Sequence, residues 1–204
     1  MNKSMENKIV IATQNKNKFA EIRTIIKDFG MDILSMTDVG LGDLDIVEDG
    51  LTCQENSYIK ASTVSKLTGY PAIADDVGLF IEALNGEPGI YTARYAGEFC
   101  NEAANRKKVL DNLKAKNALT KEKRKAYCLC VITMSYPDGE KIVCEGICHG
   151  HIADSEVGTK GYGYDSIFIP EGYSQTFGEL SEDIRNEIYH RAKALAELKL
   201  KILL

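Results

Sequence analysis

Lys125–Tyr136 and Lys141–Gly150 are two long runs of β-forming residues joined by Pro137-Asp138-Gly139-Glu140, and this pair limits the fold more than any other segment. A proline–aspartate–glycine turn between apolar runs closes a hairpin, so part of the chain must be antiparallel sheet. Around it, helical periods alternate with short strands. Ile9–Ala12 reads as a strand. Lys16 to Asp28 reads as a helix presenting Phe19, Ile22, Ile25, Ile26 and Phe29 on one face, with Gly30 as its stop. Asp32–Ser35 is a second strand, and Thr52-Cys-Gln-Glu55 has the spacing of a capping box that opens a helix to Thr68, ended by Gly69. Leu79–Ala83 and Gly89–Arg94 read as strands across an Asn85-Gly86 turn. Asn101–Asn117 is helical with Val109, Leu110 and Leu113 inside, and the tail from Ser181 carries Ile184, Ile188, Ala192, Leu195, Leu198 and Ile202 at helical spacing. Helices, short strands and one long hairpin predict an α/β protein with a mixed central sheet and flanking helices.

The chain has 204 residues, enough for one domain: a lead-in over 1–7, expected to be disordered, and a single domain over 8–204. Its net charge of −5 argues against a nucleic-acid polymer as partner, though not against a small nucleotide held by a local cluster of cations. No apolar run approaches the roughly 18 residues that a membrane span needs, and no signal peptide precedes the first strand, so a cytoplasmic protein is expected. Six cysteines are then reduced thiols. Cys128-x-Cys130 and Cys144-x3-Cys148-His149-x-His151 could be zinc ligands, but the spacing is not that of a zinc knuckle and the first pair sits in a strand. Both pairs read as buried strand thiols. Lys114–Lys125 reads as a solvated loop.

Three segments carry chemistry. Pro71–Ile81 contains Asp75 and Asp76 at what reads as a strand tip, where two carboxylates suit a divalent metal and activation of a water, or else form a solvated turn. Thr13-Gln-Asn-Lys-Asn-Lys18 lies at the first strand-to-helix junction. Asn15 can cap the helix there, Thr13 adds a donor and Lys18 a charge for a phosphate, although a capped surface helix explains the same residues. The pattern is neither of the two glycine-rich phosphate loops. In Gly158–Pro170, three glycines permit close approach of a ligand. Tyr162 and Tyr164 offer faces to a base, Gly163 lies between them, and Asp165 can accept from ring N–H groups; a glycine-rich corner is the alternative. Arg185, His190 and Arg191 add donors near the last helix.

Together these segments resemble the inosine/xanthosine triphosphate pyrophosphatase family. The resemblance rests on Ala12-Thr13-Gln14-Asn15-x2-Lys18, Glu55-Asn56-x3-Lys60-Ala61, Ala74-Asp75-Asp76-x-Gly78-Leu79, Pro88-Gly89-x4-Arg94-Tyr95, Gly161-Tyr-Gly-Tyr-Asp165 and His190-Arg191-x2-Ala194-Leu195, in family order. It implies Mg²⁺-dependent hydrolysis of aberrant purine nucleoside triphosphates (ITP, dITP, XTP) to the monophosphate and pyrophosphate, by a homodimer whose site lies in a nucleotide-binding cleft between two lobes. It implies that Thr13, Asn15, Lys18 and Lys60 grip the triphosphate, and that Asp76 is general base and metal ligand with Glu48 as second ligand. Tyr162, Gly163, Tyr164, Asp165, Arg185, His190 and Arg191 would hold the base. Glu55 is spoken for by the capping box. Where the family usually has serine, this chain has Val77, which leaves only a backbone N–H for substrate, and Tyr189, which cannot cap the last helix as serine does, so that helix is expected to run unbroken from Ser181. Two other readings are a pyrophosphatase for pyrimidine or other modified nucleotides, and a nucleotide-binding module without turnover.

Overall fold

A computed structural model describes residues 7–27, 30–97 and 101–202. Most of the expected lead-in, together with Asp28 and Phe29, lies outside the described residues. The elements are β1 (Lys8–Ile11), α1 (Lys16–Ile26), β2 (Asp32–Ser35), α2 (Cys53–Thr68), β3 (Ala72–Ile81), β4 (Pro88–Gly89), α3 (Glu102–Ala115), β5 (Lys125–Ser135), β6 (Lys141–Ile152), β7 (Phe168–Pro170), α4 (Glu182–Ile188) and α5 (His190–Ile202). The sheet runs in the order β2-β1-β3-β5-β6-β7, with β4 paired to β3. β1 is parallel to β2 and β3, whereas β4 and β7 are antiparallel to their neighbours. The fold is therefore a mixed α/β sheet with helices.

The chain forms two compact units. One comprises the residues up to Asp76, Cys130–Gly146 and the chain from Arg191; the other comprises Val77–Leu129 and Ile147–His190. In the first, Val10, Ala12, Met36, Ala61, Val64, Ala72 and Ala74 pack into one core. In this unit α1 and α2 begin where the sequence places their caps. Asn15 Oδ1 accepts from the N–H groups of Asn17 and Lys18, and Thr52 accepts from Glu55 N, while α2 ends on Gly69 at φ 72°. In the second unit, Leu79, Ile81, Val109, Leu113, Phe168 and Phe177 belong to one core. Cys128 and Cys130 on β5, and Cys144 and Cys148 on β6, are buried thiols.

Four expectations change. Asp75 and Asp76 lie mid-strand in β3, not at its tip. The strand continues because Leu79 N donates to Thr92 Oγ1 at 2.8 Å and Gly78, lacking a Cβ, leaves room for the Phe80 ring. Gly89–Arg94 is not a strand beyond Gly89. The Thr92 hydroxyl donates to Gly89 O at 2.6 Å and the chain turns through a short 3-10 segment at Thr92–Arg94. The last helix is broken: Tyr189 has extended backbone at φ −66°, ψ 140°, so α4 and α5 are separate. Finally, the lysine-rich segment is not all solvated, since Arg124 is buried and donates to the carbonyls of Ala118, Ile152 and Ala153.

Candidate active site

In a strand, consecutive side chains point to opposite faces, so Asp75 and Asp76 cannot act as one clamp. Each meets its own cations. Asp75 is 2 % exposed; its Oδ2 accepts from Arg191 Nε at 3.0 Å and Nη2 at 2.9 Å, and Lys18 Nζ stands 3.2 Å away. Glu21 binds the remaining arm of the same guanidinium. Burial on its own would raise the Asp75 pKa, but Lys18, Arg191 and Lys60 outweigh it and hold this carboxyl well below the usual range. Asp75 is thus a fixed anion.

Asp76 differs. Lys60 Nζ lies 3.4 Å from Asp76 Oδ1 and 2.5 Å from Glu48 Oε2, so one ammonium gathers both carboxylates expected to bind a metal. Asp76 Oδ2 is buried and accepts no hydrogen bond among the described residues. Burial raises the Asp76 pKa, opposed by Lys60 and Lys18 and reinforced by Glu48 and Asp75. A carboxylate held above its ordinary pKa, with one oxygen unengaged, is equipped to accept a proton. Two hard carboxylates around one positive charge, one of them with an orphaned oxygen, also fit Mg²⁺, which is commonly held by one or two carboxylates plus substrate phosphates.

The approach to Glu48 is built by residues that sequence reasoning missed or explained only in part. Gln14 Nε2 donates to the carbonyls of Gly42 and Leu44, both at 2.9 Å, tethering the loop that leads to Glu48. Beyond Glu48, Asn56 Oδ1 accepts from Gly50 N at 2.9 Å, and Glu55 Oε2 accepts from Leu51 N at 2.6 Å. Glu55 is engaged as a cap. Glu21 could have been found from its i+3 spacing to Lys18 on α1. Thr13 and Asn15 line a groove of about 230 Å³ with Phe19 and Met36. Asn15 N donates to the Thr13 hydroxyl at 3.2 Å, and Asn17 N and Lys18 N donate to Asn15 Oδ1, so these N–H groups are engaged and a phosphate here would be held chiefly by side chains.

The second unit holds the other expected residues. Gly161 and Gly163 have positive φ, 75° and 62°, as the tight loop requires. Asp165 Oδ2 accepts from Tyr162 N at 3.1 Å, Arg185 Nη1 stands 3.9 Å from the same oxygen, and Arg106 donates to Gly163 O at 2.8 Å. Arg185 Nε is buried with no partner among the described residues, leaving a donor for a ligand. Tyr162 is half-buried. Tyr164 is not a stacking face: it packs into the core and its hydroxyl donates to Thr92 O at 2.8 Å. Val77 is half-buried on β3 beside Asp76. His190 opens α5 in this unit, whereas Arg191, expected at the base, has its guanidinium on Asp75 and Glu21 in the first. One residue of helix rotates the side chain by about 100°, which is why two adjacent donors serve different groups.

A model of the Ham1 family matches residues 9–201. The chain is 44% identical over 200 residues to a dITP/XTP pyrophosphatase of Haemophilus influenzae, covering 97% of this chain and 100% of the relative. It is 42% identical over 198 residues to that of Clostridium perfringens, covering 94% and 95%. Among solved structures, a HAM1 protein from Coxiella burnetii superposes with a TM-score of 0.88 at 37% identity, covering 97% of this chain and 98% of that one. The Ham1 protein of Staphylococcus aureus gives 0.85 at 38% identity, covering 96% and 98%.

Proposed function

Because this chain belongs to the Ham1 family, we propose that it hydrolyses aberrant purine nucleoside triphosphates (ITP, dITP, XTP) to the monophosphate and pyrophosphate, clearing them from the nucleotide pool. It is a hydrolase of phosphoric anhydride bonds. The observation that carries the local chemistry is the Lys60 ammonium between Glu48 and Asp76, beside an unengaged Asp76 Oδ2. Asp76 Oδ2 takes the proton of the attacking water. Lys18, Lys60, Thr13 and Asn15 hold the triphosphate, and the two ammoniums stabilise charge that gathers on departing pyrophosphate. Glu48 and Asp76 would hold Mg²⁺, which when bound neutralises phosphate oxygens and polarises the phosphorus under attack. Asp75, fixed by Arg191, positions Lys18 for this task.

Tyr162, Gly163, Asp165, Arg185 and His190 form the base-recognition group. A 6-keto purine presents an acceptor where adenine presents an amino donor. Donors such as Arg185 Nε and His190 therefore match hypoxanthine and leave unpaired groups against adenine, a mismatch that can discriminate by roughly 10⁴. The described chain has no helix long and apolar enough to cross a membrane. We further propose a homodimer in which 8–204 works as one catalytic domain, and a cytoplasmic location, the latter supported by buried cysteines that form no disulfide among the described residues.

The test is Asp76→Asn. It should lower turnover of ITP by about 10²–10⁴ while substrate binding survives. Near-normal turnover removes Asp76 as base. Incubation of the natural protein with Mg²⁺ and ITP, dITP, XTP, ATP, GTP and dUTP, with products resolved, tests the substrate class. Comparable release of pyrophosphate from ATP and ITP would refute it, and preference for dUTP would favour the pyrimidine reading.

A further inference from the structure

Tyr189 stands at the break between α4 and α5, and its position is fixed from three sides. Its backbone N–H donates to Arg185 O at 2.9 Å, closing α4. Its ring meets the buried Phe177 edge-on, with centroids 4.9 Å apart, and lies 4.2 Å from the ring of His190. Its hydroxyl donates to Asp165 Oδ1 at 2.9 Å. The other oxygen of Asp165 accepts from Tyr162 N at 3.1 Å, and Asp165 N donates to Tyr162 O at 3.2 Å, so this carboxylate closes the turn from Tyr162 to Asp165. A Cβ at Gly161 would run into the same carboxylate. Each oxygen of Asp165 therefore has a protein donor, and its side chain is 8% exposed.

We propose that Tyr189 is a specificity-determining positioning residue: its hydroxyl pins Asp165, which sets the Gly161–Tyr164 loop, while its ring fixes His190. On this reading Asp165 acts on base recognition through the loop and does not itself accept from the purine ring. The inference rests on the proposed pyrophosphatase function, because the groups it aligns are those proposed to read the base. One side chain links the loop to the start of α5, so removal of one hydroxyl should loosen discrimination without touching Asp76, Lys18 or Lys60. A charge-assisted hydrogen bond of this kind is strong enough for its loss to be read as about tenfold in affinity.

The experiment compares the natural protein with Tyr189→Phe, which keeps the ring and its packing. Pyrophosphate release is measured on ITP, XTP and ATP, with calorimetric binding of inosine monophosphate alongside. KM for ITP should rise about tenfold, kcat should stay within about threefold, and the preference for ITP over ATP should fall about tenfold, with a matching loss of monophosphate affinity. Melting temperature separates this from simple destabilisation, since lower stability does not move a base-preference ratio. In an Asp165→Ala background, Tyr189→Phe should add nothing further, because both changes cut one linkage. Asp165→Leu, of nearly the same shape, replaces it if the alanine variant does not fold: its side chain offers neither acceptor nor donor to the Tyr189 hydroxyl, so the second change should again add little. Wild-type KM and preference in Tyr189→Phe, or additive losses in the double variant, overturn the proposal. A natural protein that releases no pyrophosphate from ITP or XTP refutes the proposed function instead. The monophosphate titration then decides the latch alone: affinity reduced by Tyr189→Phe supports it, and affinity unchanged or lacking in both proteins overturns it.

Discussion

At Asp75, burial favours the protonated acid, yet Lys18 and Arg191 more than reverse that preference. The folded-state pKa therefore lies below the unfolded value of about 3.9, so the unfolded chain binds more protons in acid. The resulting stabilisation is fully present above about pH 4 and is lost as pH falls through the folded-state pKa. Asp75→Asn should abolish this acid-labile component and cost about 3 kcal/mol at neutral pH, since Arg191 would keep its charge against a weakened partner. Urea denaturation of the metal-free protein between pH 3 and 7 measures both effects. An unchanged acid profile would remove Asp75 as the anchor of Lys18 and Arg191. Asp76, one residue on, has the opposite shift because a single lysine is shared with Glu48 and burial dominates. The Asp-Asp motif is plain in the sequence. That its members serve opposite faces follows from strand geometry, but the ten-residue strand that makes them mid-strand depends on Thr92, Gly78 and β4.

The elements that carry the residues proposed to hold the triphosphate begin at caps visible in the sequence, and α2 shows what the cap does beyond the helix. Thr52 closes the first turn, Glu55 reaches back to Leu51, and Asn56 holds Gly50. These three bonds pin the segment directly after Glu48. A Cβ at Gly50 would stand 2.7 Å from both Asn56 Oδ1 and Glu55 Cβ. Gly50→Ala should therefore push that segment away and raise the Mg²⁺ concentration for half-maximal pyrophosphate release by about tenfold, with a stability loss of only about 1–3 kcal/mol. An unchanged Mg²⁺ dependence would mean that Glu48 does not rely on this turn. The break at Tyr189 was not legible. Helical spacing continues through it, and the Asp165 acceptor and the Phe177 ring that hold the Tyr189 side chain are both distant in sequence.

At the scale of the molecule, each unit is assembled from separate stretches of chain, which passes between them after Asp76, Leu129, Gly146 and His190. Neither is a contiguous fragment, so cutting the sequence at a loop would not yield one of them. The proposed homodimer predicts a sedimentation mass of two chains at micromolar concentration; a single-chain mass would remove that part of the reading. The sequence by itself determined the first strand, the caps of α1 and α2, the hairpin and the inventory of acids, lysines and aromatic loop residues, because these follow from local periodicity and residue chemistry. Tertiary structure alone decided which cation faces which carboxylate, that Tyr164 is core while Tyr162 is half-buried, and that Arg191 turns to Asp75. Such pairings join residues up to 170 positions apart. No local pattern encodes them, because burial and electrostatic partnership exist only after the chain has packed.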